Sequence, residues 1–234
     1  MFGLQFASVL NETPALLHGI VLTIELSGIA IVLGALLGLA TAALRSIGPP
    51  PVEWLVRAYV EIIRNTPFLV QLYIIFFGLP SVGLRVTAFE ASIIAMTVNL
   101  GAYSTEIFRA GIESVHRSQV EAGLALALTR WQIFTRIIMQ PAISRVWPSL
   151  SSQFILMMLT SSVCSFISVE ELSGTAYNIQ AQTFQNFEVY IVAGLIYLGL
   201  AVLLKIGLAL LGKLLFTPSK APANAAPVPA KVAP

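Results

Sequence analysis

The chain has 234 residues, 57% hydrophobic and 10% charged, with a net charge of +2 and a mean hydropathy of +0.86. Soluble domains carry about 25% charged residues, so a soluble globular fold is excluded, and nothing in this balance calls for a nucleic acid partner. Cys164 is the only cysteine and lies in an apolar run, which excludes an intrachain disulfide or a thiolate metal cluster.

Five apolar segments approach the ~20 residues that a bilayer core requires. The expectation is therefore an all-α membrane protein with five transmembrane helices over residues 16–216, forming one bundle with no room for a second globular domain. Residues 1–10 place no basic residue ahead of an apolar run, which argues against a cleavable signal; residues 1–15 are expected to form an external segment. Span one covers residues 16–44. Its Gly34 and Gly38 make a G-x-x-x-G pattern, which lets helices approach closely in lipid. Glu25 is either a carboxylate on a polar path or an interfacial residue that snorkels. Gly48-Pro49-Pro50-Pro51 ends the span, because a helix interior does not tolerate such a run.

Span two, residues 52–79, is interrupted at Arg64-Asn65-Thr66-Pro67. Pro67 removes a backbone bond and disfavours helix at Thr66. Carbonyls freed at membrane depth persist only where they are buried or line a polar cavity, and an intramembrane arginine is by default functional or bundle-facing. A kink that only shapes packing is the alternative. Residues 78–88 form a short outside loop. Span three covers residues 89–113, where Asn99 and Tyr103 share a face at i, i+4 while Glu106 and Arg109 can pair at i, i+3.

Residues 117–130 read as a short helix outside the membrane. Ser118 and Glu121 have capping-box spacing, and Thr129 with Gln132 repeats it for a second helix. Val120, Leu124, Leu128 and Trp131 form one apolar stripe, which suits either a helix resting on headgroups or one docked in a partner's groove. A loop and amphipathic segment with Pro141 and Pro148 follows. Span four covers residues 150–167, and its polar centre of Thr160, Ser161 and Ser162 serves either helix–helix hydrogen bonding or substrate contact. Residues 168–187, with Glu170 and Glu171, are expected as an outside loop containing a short helix. Span five covers residues 189–216, and the Pro/Ala/Lys-rich tail, 217–234, is expected to be a disordered cytoplasmic extension.

If the 117–130 loop is cytoplasmic, the inner ends hold Arg45, Arg57, Arg109, Arg117, Arg130, Arg136, Arg145, Lys213, Lys220 and Lys231, and the outer loops hold only Arg85 among basic residues. That distribution obeys the positive-inside rule, with the amino terminus outside and the carboxy terminus inside.

Chemistry-bearing motifs are few. Gly207 to Lys213 matches G-x-x-x-x-G-K, but Leu214 stands where a phosphate loop needs Ser or Thr, and no strand precedes it. His18 and His116 lie near opposite membrane faces and cannot form a dyad or a metal pair. No catalytic residues and no metal site are expected, and hence no enzyme.

Glu121-Ala122-Gly123, followed by Ile137 and Pro141, resembles the "EAA" loop of ABC-importer permeases. Arg64-Asn65-Thr66-Pro67-Phe68-Leu69-Val70-Gln71-Leu72 resembles the R-G-T-P-x-L-V-Q-L signature of their polar amino-acid subfamily, with Asn65 for Gly. Ala102-Tyr103, Glu106, Arg109 and Gly111 resemble the run that leads into the coupling helix. The departures are Ala127 where the family usually has Gly, Met139-Gln140-Pro141 for Leu-Pro-Gln, and Leu159-Thr160-Ser161-Ser162 for Lys-Asp-Thr-Ser. The resemblance implies a type I importer permease in a bacterial inner membrane, with the helix at about 117–130 as a cytoplasmic coupling helix. It implies two ATPase subunits that bind ATP and Mg, a second permease subunit, a periplasmic amino-acid-binding protein and an amino-acid substrate. On this reading Glu121, Ala122, Gly123, Ala127 and Arg130 couple to the ATPase. Arg64, Asn65, Thr66, Asn99, Tyr103, Thr160 and Ser161 line the substrate path. The rival is an ion-gradient-driven transporter or channel, which predicts an inverted repeat.

Overall fold

The computed structural model describes residues 6–216; residues 1–5 and the expected disordered tail, 217–234, lie outside the described residues. The described residues form α1 (Phe6–Asn11), α2 (Thr13–Ile47), α3 (Pro50–Arg64), α4 (Phe68–Ser81), α5 (Ala88–Glu113), α6 (Arg117–Ala125), α7 (Arg130–Ile133), α8 (Met139–Thr160), α9 (Leu172–Thr183) and α10 (Asn186–Leu215). No strand occurs among them.

Among the described residues three segments are long and apolar enough to cross a bilayer on their own: α2, the helical run Arg130–Ile167, and α10. The pair α3 and α4 makes a fourth if its two halves, bent by 107°, are read as one broken span. The expected third span, α5, does not reach that apolarity, and its place in the fold explains why. It packs against α2, α3, α4 and α8. Asn99, Ser104 and Thr105 are buried on it and face protein rather than lipid. A helix sheathed by its neighbours need not be greasy all round.

The contact between α2 and α5 centres the bundle. A Cβ on Gly34 would meet the Leu100 side chain at 2.8 Å, and one on Gly38 would meet Ser104 Cβ at 2.4 Å. Both glycines are therefore required for the approach, as the small-residue spacing predicts. Thr41 Oγ1 and Thr105 Oγ1 hydrogen-bond across it at 2.6 Å. Leu26, Leu72, Met96, Leu100, Leu150 and Met157 fill the main core. A smaller cluster of Val9, Leu16, Leu172, Ile179 and Val189 holds α1 and α9 against α2 and α10.

The loop expected around Pro141 and Pro148 is helix instead. Residues Arg130–Ile167 run without a break, through a π turn at Phe134–Ile138 and ending in a 3₁₀ turn at Ser161–Ile167. The wide turn immediately ahead of Pro141 makes room for the ring where an α-helical carbonyl would clash. At the start of α5, Thr87 and Glu90 form a complete capping box, and its T-x-x-E spacing is a local signal readable from the residues alone.

Candidate functional site

The break between α3 and α4 falls where Pro67 dictates. Asn65 caps α3, and Pro67 is extended at the start of α4. Gln71, 7% exposed, closes the gap. Its Nε2 donates to Ile63 O at 2.7 Å, Thr66 O at 3.0 Å and Thr66 Oγ1 at 2.8 Å. Asn99 Nδ2 on α5 in turn donates to Gln71 Oε1 at 2.9 Å. The carbonyls exposed by the break thus have protein donors, as an apolar surrounding requires. Asn65 Nδ2 donates to Glu61 O, and Thr66 Oγ1 to Ile62 O, each at 2.8 Å.

One helical turn beyond Asn99, Tyr103 carries the guanidinium of Arg64 at 5.3 Å from its ring centroid. Arg64, Asn65, Tyr103 and Glu61 line a cleft of about 230 Å³. Arg64 and Tyr103 also border a larger one of about 540 Å³, with Glu106, Arg109, Ser149 and Gln153. The charges beside it are already matched. Glu106 Oε1 accepts from Arg45 at 2.5 Å and Oε2 from Arg109 Nη2 at 2.7 Å, while Arg109 Nη1 donates to Glu113 at 2.6 Å. The expected Glu106–Arg109 pair is therefore present, inside a longer chain of charges. Among the described residues no carboxylate lies within ion-pair distance of Arg64. A guanidinium held over a ring, with its donors open to a cleft, is suited to a carboxylate ligand.

The seven sequence-derived path residues thus divide. Arg64, Asn65 and Tyr103 meet at one cleft, and Thr66 sits at the break. Asn99 is buried with its amide bound to Gln71. Thr160 and Ser161 lie where α8 tightens into the 3₁₀ turn; their hydroxyls donate to Leu156 O at 2.8 Å and Met158 O at 2.6 Å. Helical back-bonding of this kind takes up the hydroxyl proton.

Sequence reasoning missed Glu171. It is fully buried as the cap of α9, accepting at Oε1 from the Ser173 and Gly174 amides at 2.9 and 3.0 Å. Tyr197 OH donates to its Oε2. Burial pushes the carboxyl above the usual range, against the pull of these hydrogen bonds. Its capping bonds are local, but the burial that sets it apart from Glu170 comes from distant elements, with Thr23 on α2 and Tyr197 on α10 at its Oε2.

The short helix α6 begins at Arg117, one residue before the expected cap. His116 Nδ1 accepts from the Ser118 amide at 3.3 Å, so the Ser118–Glu121 box does not form. Glu121 instead pairs with Arg117 at 3.1 Å. The Thr129–Gln132 box is complete. Between the two helices, Leu128 N donates to Gly123 O at 3.1 Å and Ala127 N to Leu124 O at 2.9 Å, the double bond of a Schellman turn. Ala127 supplies its left-handed residue at φ 57°. Gly123 is buried against Ile133 and Ile137. Leu124, Leu126 and Trp131 are 56%, 75% and 60% exposed, an apolar rim with basic residues at both ends.

The chain matches the family model described as "binding-protein-dependent transport system inner membrane component" over residues 30–216. It is 38% identical over 191 residues to the probable glutamine ABC transporter permease protein GlnM of Bacillus subtilis, covering 82% of this chain and 88% of that one. It is 30% identical over 203 residues to the arginine transport system permease protein ArtQ of the same organism, covering 86% and 93%. Among solved structures it superposes on the crystal structure of an amino acid ABC transporter with histidines with a TM-score of 0.83 and 33% identity, over 91% of this chain and 99% of that one.

Proposed function

The chain belongs to the family of binding-protein-dependent transport system inner membrane components, and from that premise we propose that this amino-acid ABC transporter permease serves an ATP-driven importer of polar amino acids. The observation that carries the amino-acid reading is Arg64, poised over Tyr103 with no carboxylate partner among the described residues. A free α-carboxylate is the group common to all amino acids, and a guanidinium fork matches it. Asn65 and Tyr103 shape the cleft, Thr66 stands at the break, and Gln71 and Asn99 hold it.

In this reading α5, the bent pair and the three apolar segments make five spans, with the amino terminus periplasmic and the carboxy terminus cytoplasmic. A periplasmic binding protein delivers substrate, and a second permease subunit, identical or homologous, completes the path. Two cytoplasmic ATPase subunits, which bind ATP and Mg, receive α6 in a groove. The exposed rim of Leu124, Leu126 and Trp131, with Glu121, Ala122 and Arg130 beside it, is what such a groove would cover; Gly123 and Ala127 set its shape. Force reaches the path because α6 is joined directly to α5, which carries Tyr103 and braces the break through Asn99. The ATPase can bias the permease only through contacts that differ between its own two states.

The test is reconstitution of the chain with its copurified partners in vesicles. ATP-dependent accumulation of an amino acid is expected, with none when the ATPase is omitted. Accumulation by the chain alone, driven by an ion gradient, would overturn the reading.

A further inference from the structure

A second cleft, of about 660 Å³, opens between the 3₁₀ turn, α9 and α10 and shares no lining residue with the clefts at Arg64. Its walls include Ser162, Ser165, Glu170, Tyr177, Asn178 and Tyr190, and a narrower recess of about 330 Å³ continues from it past Ser162, Ser173 and Tyr190. Among the described residues Glu170 is the one charged residue lining either space.

The hydrogen bonds of the walls determine what such a cleft can bind. Ser162 Oγ donates to Leu159 O at 2.8 Å, and Ser165 Oγ to Ser162 O at 2.7 Å. The Tyr197 proton goes to Glu171, so at the 3.1 Å contact between them Ser173 Oγ is the donor and the tyrosine oxygen the acceptor. Three serine protons are therefore committed to the protein, and the oxygens remain as acceptors. The Ser173 and Gly174 amides at the start of α9 are occupied as well, both pointing to Glu171, while the Ser168 and Tyr177 hydroxyls, which also line the cleft, can turn their oxygens toward a donor. The Glu170 backbone carbonyl accepts from Thr175 Oγ1 at 3.1 Å, but among the described residues its carboxylate receives only a long bond at 3.4 Å from Asn178, with no cation in ion-pair distance. Two aromatic rings, Tyr177 and Tyr190, stand 61% and 49% exposed beside it.

An acceptor-rich cleft with one unpaired carboxylate and flanking tyrosines is complementary to a group that is all donor and positively charged. We infer that this cleft is a cation-recognition subsite, in which Glu170 receives an ammonium or guanidinium group of the transported amino acid. The inference rests on the proposed function and deepens it: Arg64 reads the carboxylate end of a substrate, and Glu170 reads a cationic end at a separate place. An ammonium brings three donors and a guanidinium five, and either gains from the tyrosine faces. Because the cleft is open to solvent, the attraction weakens as salt rises.

The experiment uses the importer assembled with its ATPase and binding-protein partners in vesicles, with arginine and glutamine as probes, comparing wild type, Glu170→Gln and Glu170→Asp. Glu170 is exposed and its replacement by Gln is isosteric, so folding is not at stake. Glu170→Gln is expected to raise KM about tenfold, the size of one charge-assisted hydrogen bond, with the maximal rate unchanged and Glu170→Asp close to wild type. A KM shift for arginine alone identifies the side chain as the source of the cation; a shift for both probes identifies the α-ammonium. Wild-type uptake with no KM shift for either probe, or a fall in maximal rate alone, overturns the subsite and leaves the importer reading standing. Absence of wild-type uptake overturns that reading, and the subsite with it.

Discussion

The guanidinium of Arg64 rests 5.3 Å from the centroid of the Tyr103 ring, joining the end of a broken helix to the central helix of the bundle. Neither residue contacts the other by virtue of local sequence. Pro67 stops α3 at Arg64, and the close approach of α5 brings Tyr103 beneath it.

If that pair reads a substrate carboxylate, Arg64→Ala raises the KM for amino-acid uptake about tenfold or more, while the amount of protein in the membrane stays as in wild type. Arg64→Lys falls between, because a point charge replaces a planar fork. Uptake assays alongside quantitative blotting distinguish this from packing, for which Arg64→Ala leaves KM unchanged.

Gln71 pairs the carbonyls at the break, and Asn99 holds Gln71. Asn99→Leu leaves Gln71 Oε1 without its donor, and Gln71→Leu leaves the Ile63 and Thr66 carbonyls at the break unpaired. Each costs about 1–3 kcal/mol in unfolding of the detergent-solubilised chain. The double variant costs less than the two together, with a coupling of roughly 0.5–3 kcal/mol. Simple additivity would show that the two residues are independent.

Ala127 holds a left-handed conformation that glycine adopts without strain. Ala127→Gly stabilises the Schellman turn by about 0.5–1 kcal/mol, since glycine's greater freedom in the unfolded chain offsets part of the gain. Hydrogen exchange at the Leu128 amide slows accordingly. Ala127→Val changes it in the opposite direction, because a β-branched side chain fits this region poorly.

Glu121→Lys reverses the exposed pair with Arg117. Exposed pairs contribute little to stability, so helix content and expression are retained. ATP-driven uptake is lost because the docking end of α6 changes sign. Normal uptake by this variant counts against docking through α6.

Glu171 gives the chain a pH dependence of definite sign. Its carboxyl is raised in the folded state, so it binds a proton more tightly folded than unfolded. That stability is fully present below the unfolded value of about 4.3 and is lost as pH rises through the raised folded value. Tyr197 and Cys164, the titratable groups that face it, ordinarily ionise only at about 8.5 or above and do not titrate in this window. The thermal midpoint of wild type relative to Glu171→Gln is expected to fall as pH rises from about 4 to about 7. A constant difference would show that Glu171 keeps an ordinary value.

Local chemistry is what the sequence carried. The hydrophobic runs, the stop at Gly48-Pro49-Pro50-Pro51, the break at Pro67, the Thr129–Gln132 cap and the packing role of Gly34 and Gly38 each depend on a few neighbouring residues or a fixed period. Misreadings arose where one local rule competed with another. His116 captured the cap that Ser118 was expected to make, and a π turn let the helix continue where Pro141 suggested a loop.

The solvent this chain folds in, and most of the places where its helices start, bend and stop, were therefore legible in the residues themselves, because apolarity, proline and capping spacings act over a turn or two. Long-range packing alone sheathes α5 in its neighbours, brings Gln71 to the break from eight residues away, sets Asn99 against Gln71 and buries Glu171 among α2, α9 and α10. Those outcomes depend on which helix faces come together, and a buried polar group acquires its role from partners distant in the chain.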